Sequence, residues 1–508
     1  MAEASIPLQR GGVSTEYSTR QRIGLALGPL AFLLMLVLPN PAGMSPEAAK
    51  VAATTFWVAI WWMTEAAPIP VTSLLPLILI PMTGALPISD VAPGYSNRLI
   101  FVFLGGFMIA LAIERWNLHR RIALSIISVV GVTPARIVLG FMVATGFLSM
   151  WISNTATAMM MTPIGLAVIS QMLELMDRHT DKSEESEEQR SVARFGFATA
   201  LMLGIAYSAS LGGIGTLIGT PPNIVLAGAA QELFGLEISF ARWMLIGLPV
   251  AIIGVIGTWF YLTRIAYTMD REGIPGGLDV VRDELRKLGP MTTPERAVLI
   301  IFGLTALAWI TRPWVISPIA PNVDDAVIAL TGAVALFVVP ISMQRNEFLM
   351  DWETARNLPW GIVLLFGGGL AIAAAFTATG LSDWLGEALT GLGGLPVLLV
   401  LLVVVTIVIF LTELTSNTAS ATMLMPVMFA LATALLVNPL LLMVPAAIAA
   451  SCAFMLPVAT PPNAIVFGSG YITIPQMARA GIWLNIASII LVTAIGYLLV
   501  PLIWSIAM

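Results

Sequence analysis

Stretches without any Asp, Glu, Lys or Arg recur along the whole chain and alternate with short polar segments. The longest separates Glu413 from Arg479. The others lie between Arg22 and Glu47, Glu65 and Asp90, Arg136 and Glu174, Arg194 and Glu232, Arg242 and Arg264, and Arg356 and Asp383. A transmembrane helix needs about 20 mostly apolar residues. The pattern therefore predicts an all-α integral membrane protein that crosses the bilayer many times.

The composition excludes several other classes of protein. Of the 508 residues, 58% are hydrophobic and 10% are charged, whereas soluble domains carry about 25% charged residues. Lys and Arg number 24 against 29 acidic residues, with no dense basic stretch, which argues against nucleic-acid binding. His119 and His179 form no zinc-binding pattern, and the single cysteine, Cys452, cannot form an intrachain disulfide.

Polar segments indicate how the chain is divided and oriented. Segment 1–22 is polar and carries three arginines, and the apolar run Ile23–Leu38 follows it. We expect an uncleaved first span with a cytoplasmic N-terminus, because basic residues favour the inside. The basic segment 264–296 predicts a cytoplasmic connection between two halves, 23–263 and 297–508. The polar insert 177–194 is interpreted as a solvated loop.

The two halves carry the same motifs in the same order. Each has a Gly-Gly pair, then Ser-Asn-Thr, then Thr-Pro-Pro-Asn. In the first half these are Gly105-Gly106, Ser153-Asn154-Thr155 and Thr220-Pro221-Pro222-Asn223; in the second, Gly367-Gly368, Ser416-Asn417-Thr418 and Thr460-Pro461-Pro462-Asn463. An ordered duplicate of this kind indicates an internal repeat, which in membrane proteins is typical of secondary transporters.

The Ser-Asn-Thr motifs offer two hydroxyls and an amide, and such groups must be satisfied when they lie within hydrocarbon. Hydrogen bonding between neighbouring helices would suffice for a single motif. Duplication at matched positions favours a ligand site instead. The Gly-Gly pairs carry less information, because small residues that let helices approach closely account for them.

The Thr-Pro-Pro-Asn motifs predict breaks in two helices. Proline lacks a backbone donor and clashes with a continuing helix, and the glycine-rich segment Leu211–Gly219 precedes the first motif. Broken helices at membrane depth are tolerated where they line a cavity, although a packing kink without a ligand is the alternative. Free carbonyls there bind cations, and helix N-termini favour anions.

Basic residues are absent near these motifs. Between Glu413 and Arg479 there are none, and between Arg136 and Arg194 they occur only within the polar insert. An anion at the motifs would therefore be held by neutral donors, helix ends and a co-bound cation. Na+ fits this role because hydroxyl, amide and backbone oxygens are hard ligands, although another small cation remains an alternative.

These motifs, the length of the chain and its apolar layout resemble those of the divalent anion:sodium symporter family, which carries dicarboxylates, citrate or sulfate. The resemblance covers nearly the whole chain. It implies about eleven transmembrane helices and two re-entrant hairpins in two inverted repeats. It also implies a homodimer in the cell (inner) membrane whose transport domain moves by an elevator mechanism. We expect the hairpins around 137–176 and 400–436 and the broken helices around 207–230 and 445–470.

The resemblance also implies ligand sets. One sodium site would use Ser149, Ser153, Asn154 and the backbone near Gly219, and the other would use Thr412, Thr415, Asn417 and the backbone near Ala459. The substrate carboxylates would meet residues of both repeats, namely Asn154, Thr155, Thr220, Pro221, Asn417, Thr418, Thr460 and Pro461. Ile152 occupies the position that matches Thr415, so the two sodium sites are not expected to be chemically identical.

The function predicted is not enzymatic: it is sodium-coupled symport of a small dianion, most simply a C4-dicarboxylate such as succinate. A dicarboxylate exchanger, a proton-coupled carrier and an anion channel are alternatives. Glu65 and Glu413 lie in apolar surroundings and could carry a proton, or each could only cap a helix or pair locally. The tryptophans Trp61, Trp62, Trp309 and Trp314 are expected to be interfacial anchors.

Overall fold

A computed structural model describes residues 17–131, 133–179, 187–267, 269, 279–392 and 394–506. Most of segment 1–22, and the centre of the connection 264–296, therefore lie outside the described residues, as does part of the insert 177–194.

Helices make up nearly all of the regular structure. In the first half they are α1 (Thr19–Val37), α2 (Pro46–Thr64), α3 (Ile69–Thr72), α4 (Leu75–Met82), α5 (Ile88–Val91), α6 (Arg98–Arg115), α7 (Leu118–Val130), α8 (Pro134–Ser149), α9 (Asn154–His179), α10 (Glu187–Gly213), α11 (Pro221–Phe234) and α12 (Phe240–Tyr261). The connection contributes α13 (Asp279–Lys287).

The second half contains α14 (Thr293–Thr311), α15 (Asp325–Val338), α16 (Trp352–Ala355), α17 (Trp360–Ala378), α18 (Leu381–Ala388), α19 (Val397–Thr412), α20 (Asn417–Ala434), α21 (Leu440–Ala449), α22 (Pro461–Phe467) and α23 (Ile474–Trp504). One small antiparallel hairpin joins β1 (Pro340–Ser342) to β2 (Glu347–Phe348).

Eight helical segments of the described chain are long and apolar enough to cross a membrane, and five shorter apolar helices accompany them. The prediction of an all-α membrane protein is confirmed. The helix α10 is central: nearly all of Gly196–Gly213 is buried inside the protein, whereas only 17% of α1 and 22% of the segment Thr293–Ile316, which contains α14, are buried. An apolar helix with an exposed surface suits a position facing lipid, and a fully buried one suits the protein interior.

The duplicated motifs coincide with helix ends. The chain leaves helix between α8 and α9 just before Asn154, and between α19 and α20 just before Asn417. It leaves helix again after Gly213 and resumes at Pro221, and in the second half it leaves after Ala449 and resumes at Pro461. Proline at the first helical position needs no donor and is pre-set for helix, which explains where both helices restart. The re-entrant and inverted arrangement of these pairs stays a prediction.

The Gly-Gly pairs mark close helix packing. A Cβ added at Gly105 in α6 would lie 2.6 Å from the carbonyl carbon of Ala329 in α15. In α17, an added Cβ at Gly368 or Gly369 would collide with Ser73 or Thr422. Backbone therefore meets backbone at Gly105 and Gly368, and the Thr422 side chain packs directly against Gly369, as the packing interpretation of these glycines predicts.

The tryptophan prediction is wrong for two residues. Trp62 and Trp309 are 2% and 1% exposed, and their indole N–H groups donate to Ser73 Oγ and the Asp325 carbonyl within the protein. Trp314 is exposed as expected, and Trp61 is half-buried against α1, where it donates to the Gly24 carbonyl. The apolar ring favours burial once a neighbouring helix supplies an acceptor.

Candidate functional site

Both repeats meet at one cavity of about 950 Å³. Most of the predicted site residues line it, namely Ser153, Asn154, Thr155, Gly219, Thr220, Pro221, Thr415, Asn417, Thr418, Ala459, Thr460 and Pro461. Ser149 and Thr412 do not line the cavity, and both are fully buried behind it. Residues separated by about 260 positions in sequence thus share one surface.

The first repeat gathers oxygen atoms around Ser149. Its hydroxyl lies 2.6 Å from Asn154 Oδ1 and 2.7 Å from the carbonyl oxygen of Ala209 in α10. A serine hydroxyl has one proton and can donate to only one of these acceptors at a time. The cluster therefore holds more oxygen acceptors than donors, which is the arrangement that a bound cation satisfies.

The amide of Asn154 can adopt either of two orientations in this cluster. With Oδ1 inward, the amide oxygen faces only acceptors; with the amide reversed, Nδ2 would donate to Ala209 at 3.1 Å, Ser149 Oγ at 2.6 Å and Gly219 at 3.2 Å. A cation among these oxygens favours the first orientation, and its absence favours the second. The amide is thus placed to respond to a cation.

The second repeat builds a matching cluster around Thr412. Its hydroxyl lies 2.7 Å from Asn417 Oδ1 and 2.9 Å from the carbonyl oxygen of Ala450. Beyond the exchange of Ser149 for Thr412, which keeps the hydroxyl, the clusters differ at the position of Thr415. The hydroxyl of Thr415 is bound to the Leu411 carbonyl at 2.9 Å and to Ser420 Oγ at 2.6 Å, whereas the matching residue in the first repeat, Ile152, has no oxygen on its side chain.

Ser153 has a second use in its own helix. Its hydroxyl accepts a hydrogen bond from the backbone N–H of Ala156 at 3.2 Å, which is the position of an N-cap at the start of α9. The same side chain lines the cavity. Helix capping therefore orients this hydroxyl at the edge of the first cluster.

Sequence reasoning missed the two asparagines that end the Thr-Pro-Pro-Asn motifs. Nδ2 of Asn223 donates to carbonyls ten and seven residues earlier, at 3.2 and 2.7 Å. Nδ2 of Asn463 does the same at 3.1 and 3.0 Å. Both residues are fully buried. They hold the unwound backbone ahead of α11 and α22 in shape, and their matched place in the duplicated motif was the available signal.

Glu413 braces the unwound segment of the second repeat. Its carboxylate accepts hydrogen bonds from the backbone N–H groups of Phe454 at 2.7 Å, Met455 at 2.9 Å and Leu456 at 3.2 Å. Asn485 in α23 adds a fourth donor at 2.8 Å. All four donors belong to the protein itself, so the local-pairing interpretation describes the contacts of Glu413.

The anion-binding potential of the cavity comes from neutral groups. The helices α9, α11 and α20 all begin at its wall, and the N-terminus of a helix carries free N–H groups and the positive end of its dipole. Thr155 and Thr418 line the cavity at two of these starts, where their hydroxyls can donate to a carboxylate. Thr220 and Thr460 line it at the Pro-Pro motifs, and Thr460 Oγ1 caps α22 by accepting from the Asn463 N–H at 3.3 Å.

Two charged residues occur in the cavity wall, as far as the described chain extends. Arg20 lies in the first turn of α1, and Glu65 follows the last residue of α2. Their side chains are 49% and 51% exposed, so both lie at the rim. Within the described residues, neither side chain forms a hydrogen bond with a Ser-Asn-Thr side chain.

A helical membrane protein with two matched broken-helix motifs around one central cavity is a secondary transporter. Two solved transporters share its fold: YdaH of Alcanivorax borkumensis (TM-score 0.53, 12% identity, 80% of this chain and 86% of that one) and MtrF of Neisseria gonorrhoeae (TM-score 0.52, 12% identity, 92% and 94%). The sequence over residues 21–506 matches the sodium:sulfate symporter transmembrane region, and the chain belongs to that family. The predicted family is confirmed.

Relatives in this family are much closer in sequence. A protein of Staphylococcus saprophyticus named sodium-dependent dicarboxylate transporter SdcS is 49% identical over 488 residues, covering 96% of this chain and 92% of that protein. Its namesake in Staphylococcus aureus MRSA252 is 47% identical over 493 residues, covering 96% and 93%.

Proposed function

We propose that this protein is a sodium-coupled symporter of a small dicarboxylate in the bacterial cell membrane. The observation that carries the proposal is the pair of oxygen clusters, around Ser149 and Thr412, that flank one cavity with helix N-termini in its wall. The sodium-dependent dicarboxylate transporters to which the chain is nearly half identical support the same function.

In this proposal each cluster binds one sodium ion. The first site takes oxygens from Ser149, Ser153, Asn154 and Gly219, and the second takes them from Thr412, Thr415, Asn417 and Ala459. Hydroxyl, amide and carbonyl oxygens suit Na+, which needs no charged ligand when an anion binds beside it. The surplus of acceptors over donors around Thr412, and the same surplus around Ser149 when Asn154 Oδ1 faces inward, support this assignment.

The dicarboxylate occupies the cavity between the two ions. The resemblance assigns Thr155, Thr220, Pro221, Thr418, Thr460 and Pro461 to its contacts, and all of them line the cavity. Two matched half-sites suit an anion with a carboxylate at each end, which favours a C4-dicarboxylate such as succinate. Hydroxyls, helix ends and the two bound cations together offset the charge of the anion.

Coupling follows from shared side chains. Asn154 and Asn417 each offer an oxygen to the cation and an NH2 group to a carboxylate. A bound cation orients the amide so that its NH2 group faces the cavity, and the carboxylate favours that same orientation. Each ligand therefore stabilises the binding of the other.

The cavity opens on the side at which α1 begins, because Arg20 in the first turn of α1 forms part of its rim. With the N-terminus in the cytoplasm, this conformation faces inward. Alternation with an outward-facing form by an elevator motion, and assembly as a homodimer, complete the proposal and rest on the family resemblance.

Uptake into liposomes tests the function. Purified protein should concentrate labelled succinate only with an inward sodium gradient; equal uptake with potassium or choline in place of sodium would contradict the coupling. Uptake that requires internal dicarboxylate identifies an exchanger, and uptake that a proton gradient drives without sodium identifies a proton-coupled carrier. A conductance that neither saturates nor concentrates succinate identifies a channel.

A further inference from the structure

The rim of the cavity carries a single basic side chain within the described residues, that of Arg20. Its guanidinium joins three parts of the protein. Nη1 donates to the carbonyl of Leu414 at 3.0 Å, Nε donates to the carbonyl of Thr64 at 3.4 Å, and Nη2 lies 3.9 Å from Glu65 Oε1. The side chain is thus fixed beside the connection that leads into the second Ser-Asn-Thr motif.

The local structure keeps this arginine in place. The helix α1 begins with a capping box between Ser18 and Gln21, and Gln21 Nε2 also donates to the carbonyl of Glu65 at 3.2 Å. Glu65 ends α2 in a left-handed conformation, with φ of 53°, which is uncommon for a residue other than glycine. The first turn of α1 and the end of α2 therefore form one fixed corner of the rim.

Arg20 keeps much of its charge available to an incoming anion. Two of its three contacts are to neutral carbonyls, and its separation from Glu65 is near the upper limit for an ion pair. Both side chains are half-exposed, and exposed pairs of this kind contribute little binding energy to each other. An anion with two charges that passes the rim is attracted about twice as strongly as one with a single charge.

We propose that Arg20 controls access at the cytoplasmic mouth of the cavity: it attracts dianions from the solution on that side and favours doubly over singly charged ones in binding to the inward-facing form, and Glu65 limits this effect. The inference rests on the proposed function. It assigns Arg20 a role in the rate of association, and it leaves the bound substrate to the neutral groups deeper in the cavity.

Association kinetics in detergent test the proposal, with sodium held constant and ionic strength varied by choline chloride. Succinate is the probe, and sulfate replaces it where succinate does not bind. We expect Arg20→Gln to lower the association rate constant about threefold to tenfold at low ionic strength. The dissociation rate constant should be unchanged, and the difference should disappear in high salt because the charges are screened.

Three further variants complete the design. Arg20→Lys should retain most of the association rate, and Glu65→Gln should raise it. Arg22→Gln removes the same charge from the same helix, but Arg22 is exposed and does not line the cavity, since two residues correspond to about 200° of helical rotation. This control should match the wild type. The association rate constant of the monoamide of succinate, which has one negative charge, should differ less between Arg20→Gln and the wild type than that of succinate does.

Four results would overturn the inference: an unchanged association rate in Arg20→Gln, an equal loss in Arg22→Gln, a loss that persists in high salt, or a change confined to dissociation. Thermal unfolding of each variant identifies any variant that fails to fold. If Arg20→Gln fails to fold, the association rate of Arg20→Lys is compared with that of Glu65→Gln instead. Absence of succinate and sulfate binding by the wild type itself would instead contradict the proposed function, and this inference with it.

Discussion

At the scale of single residues, the proposed coupling depends on the two motif asparagines. Asn154 and Asn417 occupy matched positions, each five residues after the hydroxyl that contacts its amide oxygen. A single amide offers both an acceptor and donors, so one side chain can serve a cation and an anion together.

Replacing either asparagine with alanine should weaken the binding of sodium and succinate together. We expect about 1–3 kcal/mol for each ligand, the usual range of coupling free energies. Replacing Thr418 with valine should reduce the affinity for succinate more than that for sodium, because Thr418 lines the cavity but is not one of the proposed sodium ligands. Calorimetric titration of each ligand measures both affinities, and an Asn417→Ala variant with normal sodium affinity would rule out the shared-ligand mechanism.

At the scale of elements, unwound segments need internal braces, because their backbone groups have lost helical partners. Asn223 supplies a brace in the first repeat, and Asn463 together with Glu413 supplies one in the second. The second segment thus has a carboxylate brace that binds three consecutive N–H groups. Glu413 lies in the segment that joins Thr412 at the end of α19 to Asn417 at the start of α20, so a change in this brace also affects the proposed cation site.

Glu413→Gln should destabilise the protein and weaken sodium binding. The amide places donors against backbone donors, and we expect a loss of about 1.5–3 kcal/mol, typical of hydrogen bonds to charged groups. Thermal unfolding and sodium titration measure the two effects, with Glu347→Gln, at an exposed position in β2, as the control. Normal stability combined with loss of proton-driven uptake would favour the proton-carrying interpretation instead.

The contact between α6 and α15 depends on Gly105. Gly105→Ala would place a methyl group 2.6 Å from the carbonyl carbon of Ala329, which forces the helices apart at a cost of about 1–3 kcal/mol. The matched control is Gly303→Ala in α14, where a Cβ meets nothing within 4 Å. The midpoint of thermal unfolding should fall for Gly105→Ala and not for Gly303→Ala; equal behaviour of both would contradict the packing argument.

At the scale of the whole molecule, an ion-pair network ties the two halves together. Glu237, in the segment after α11, accepts a hydrogen bond from Arg312 at 2.6 Å and pairs with Arg98 at 3.3 Å. Arg312 also pairs with Asp325 at 2.7 Å. Arg98 and Glu237 belong to the first half of the sequence, and Arg312 and Asp325 belong to the second. The network therefore connects elements that lie far apart along the chain.

This network should be sensitive to acid. Burial raises the pKa of Glu237, but the hydrogen bond from Arg312 and the charges of Arg98 and Arg312 outweigh it, and the pKa lies below its ordinary value of 4.5. A carboxyl group whose pKa is lowered in the folded state stabilises that state at pH values above its ordinary pKa. This contribution is lost as the pH falls through the pKa of the folded state. Glu237→Gln should therefore lower the midpoint of thermal unfolding near pH 7, and its difference from the wild type should shrink below about pH 4.5.

The control for this prediction is Glu353→Gln, which breaks an exposed pair with Arg356 at 3.7 Å. Exposed pairs contribute little to stability, so this variant should unfold like the wild type at every pH. A gap between Glu237→Gln and the wild type that stays constant down to strongly acidic pH would contradict the assigned role of the ion pair.

The sequence by itself determined the class of protein, the repeat and the members of the cavity wall. Uncharged runs of sufficient length specify spans because hydrocarbon excludes charge, and Pro221 and Pro461 specify helix restarts because proline acts on its own backbone. Duplication then pointed to Asn154 and Asn417, which both line the cavity, without any knowledge of their neighbours.

Only the tertiary structure decided which distant residues support that site. Glu413 meets Phe454 and Asn485, which lie 41 and 72 residues away, and Arg20 meets Leu414 across 394 residues. Trp62 and Trp309 are buried although their residue type also suits a membrane interface. Local pattern fixes what a residue can do, but its partners depend on how the helices pack, and packing is a property of the whole chain.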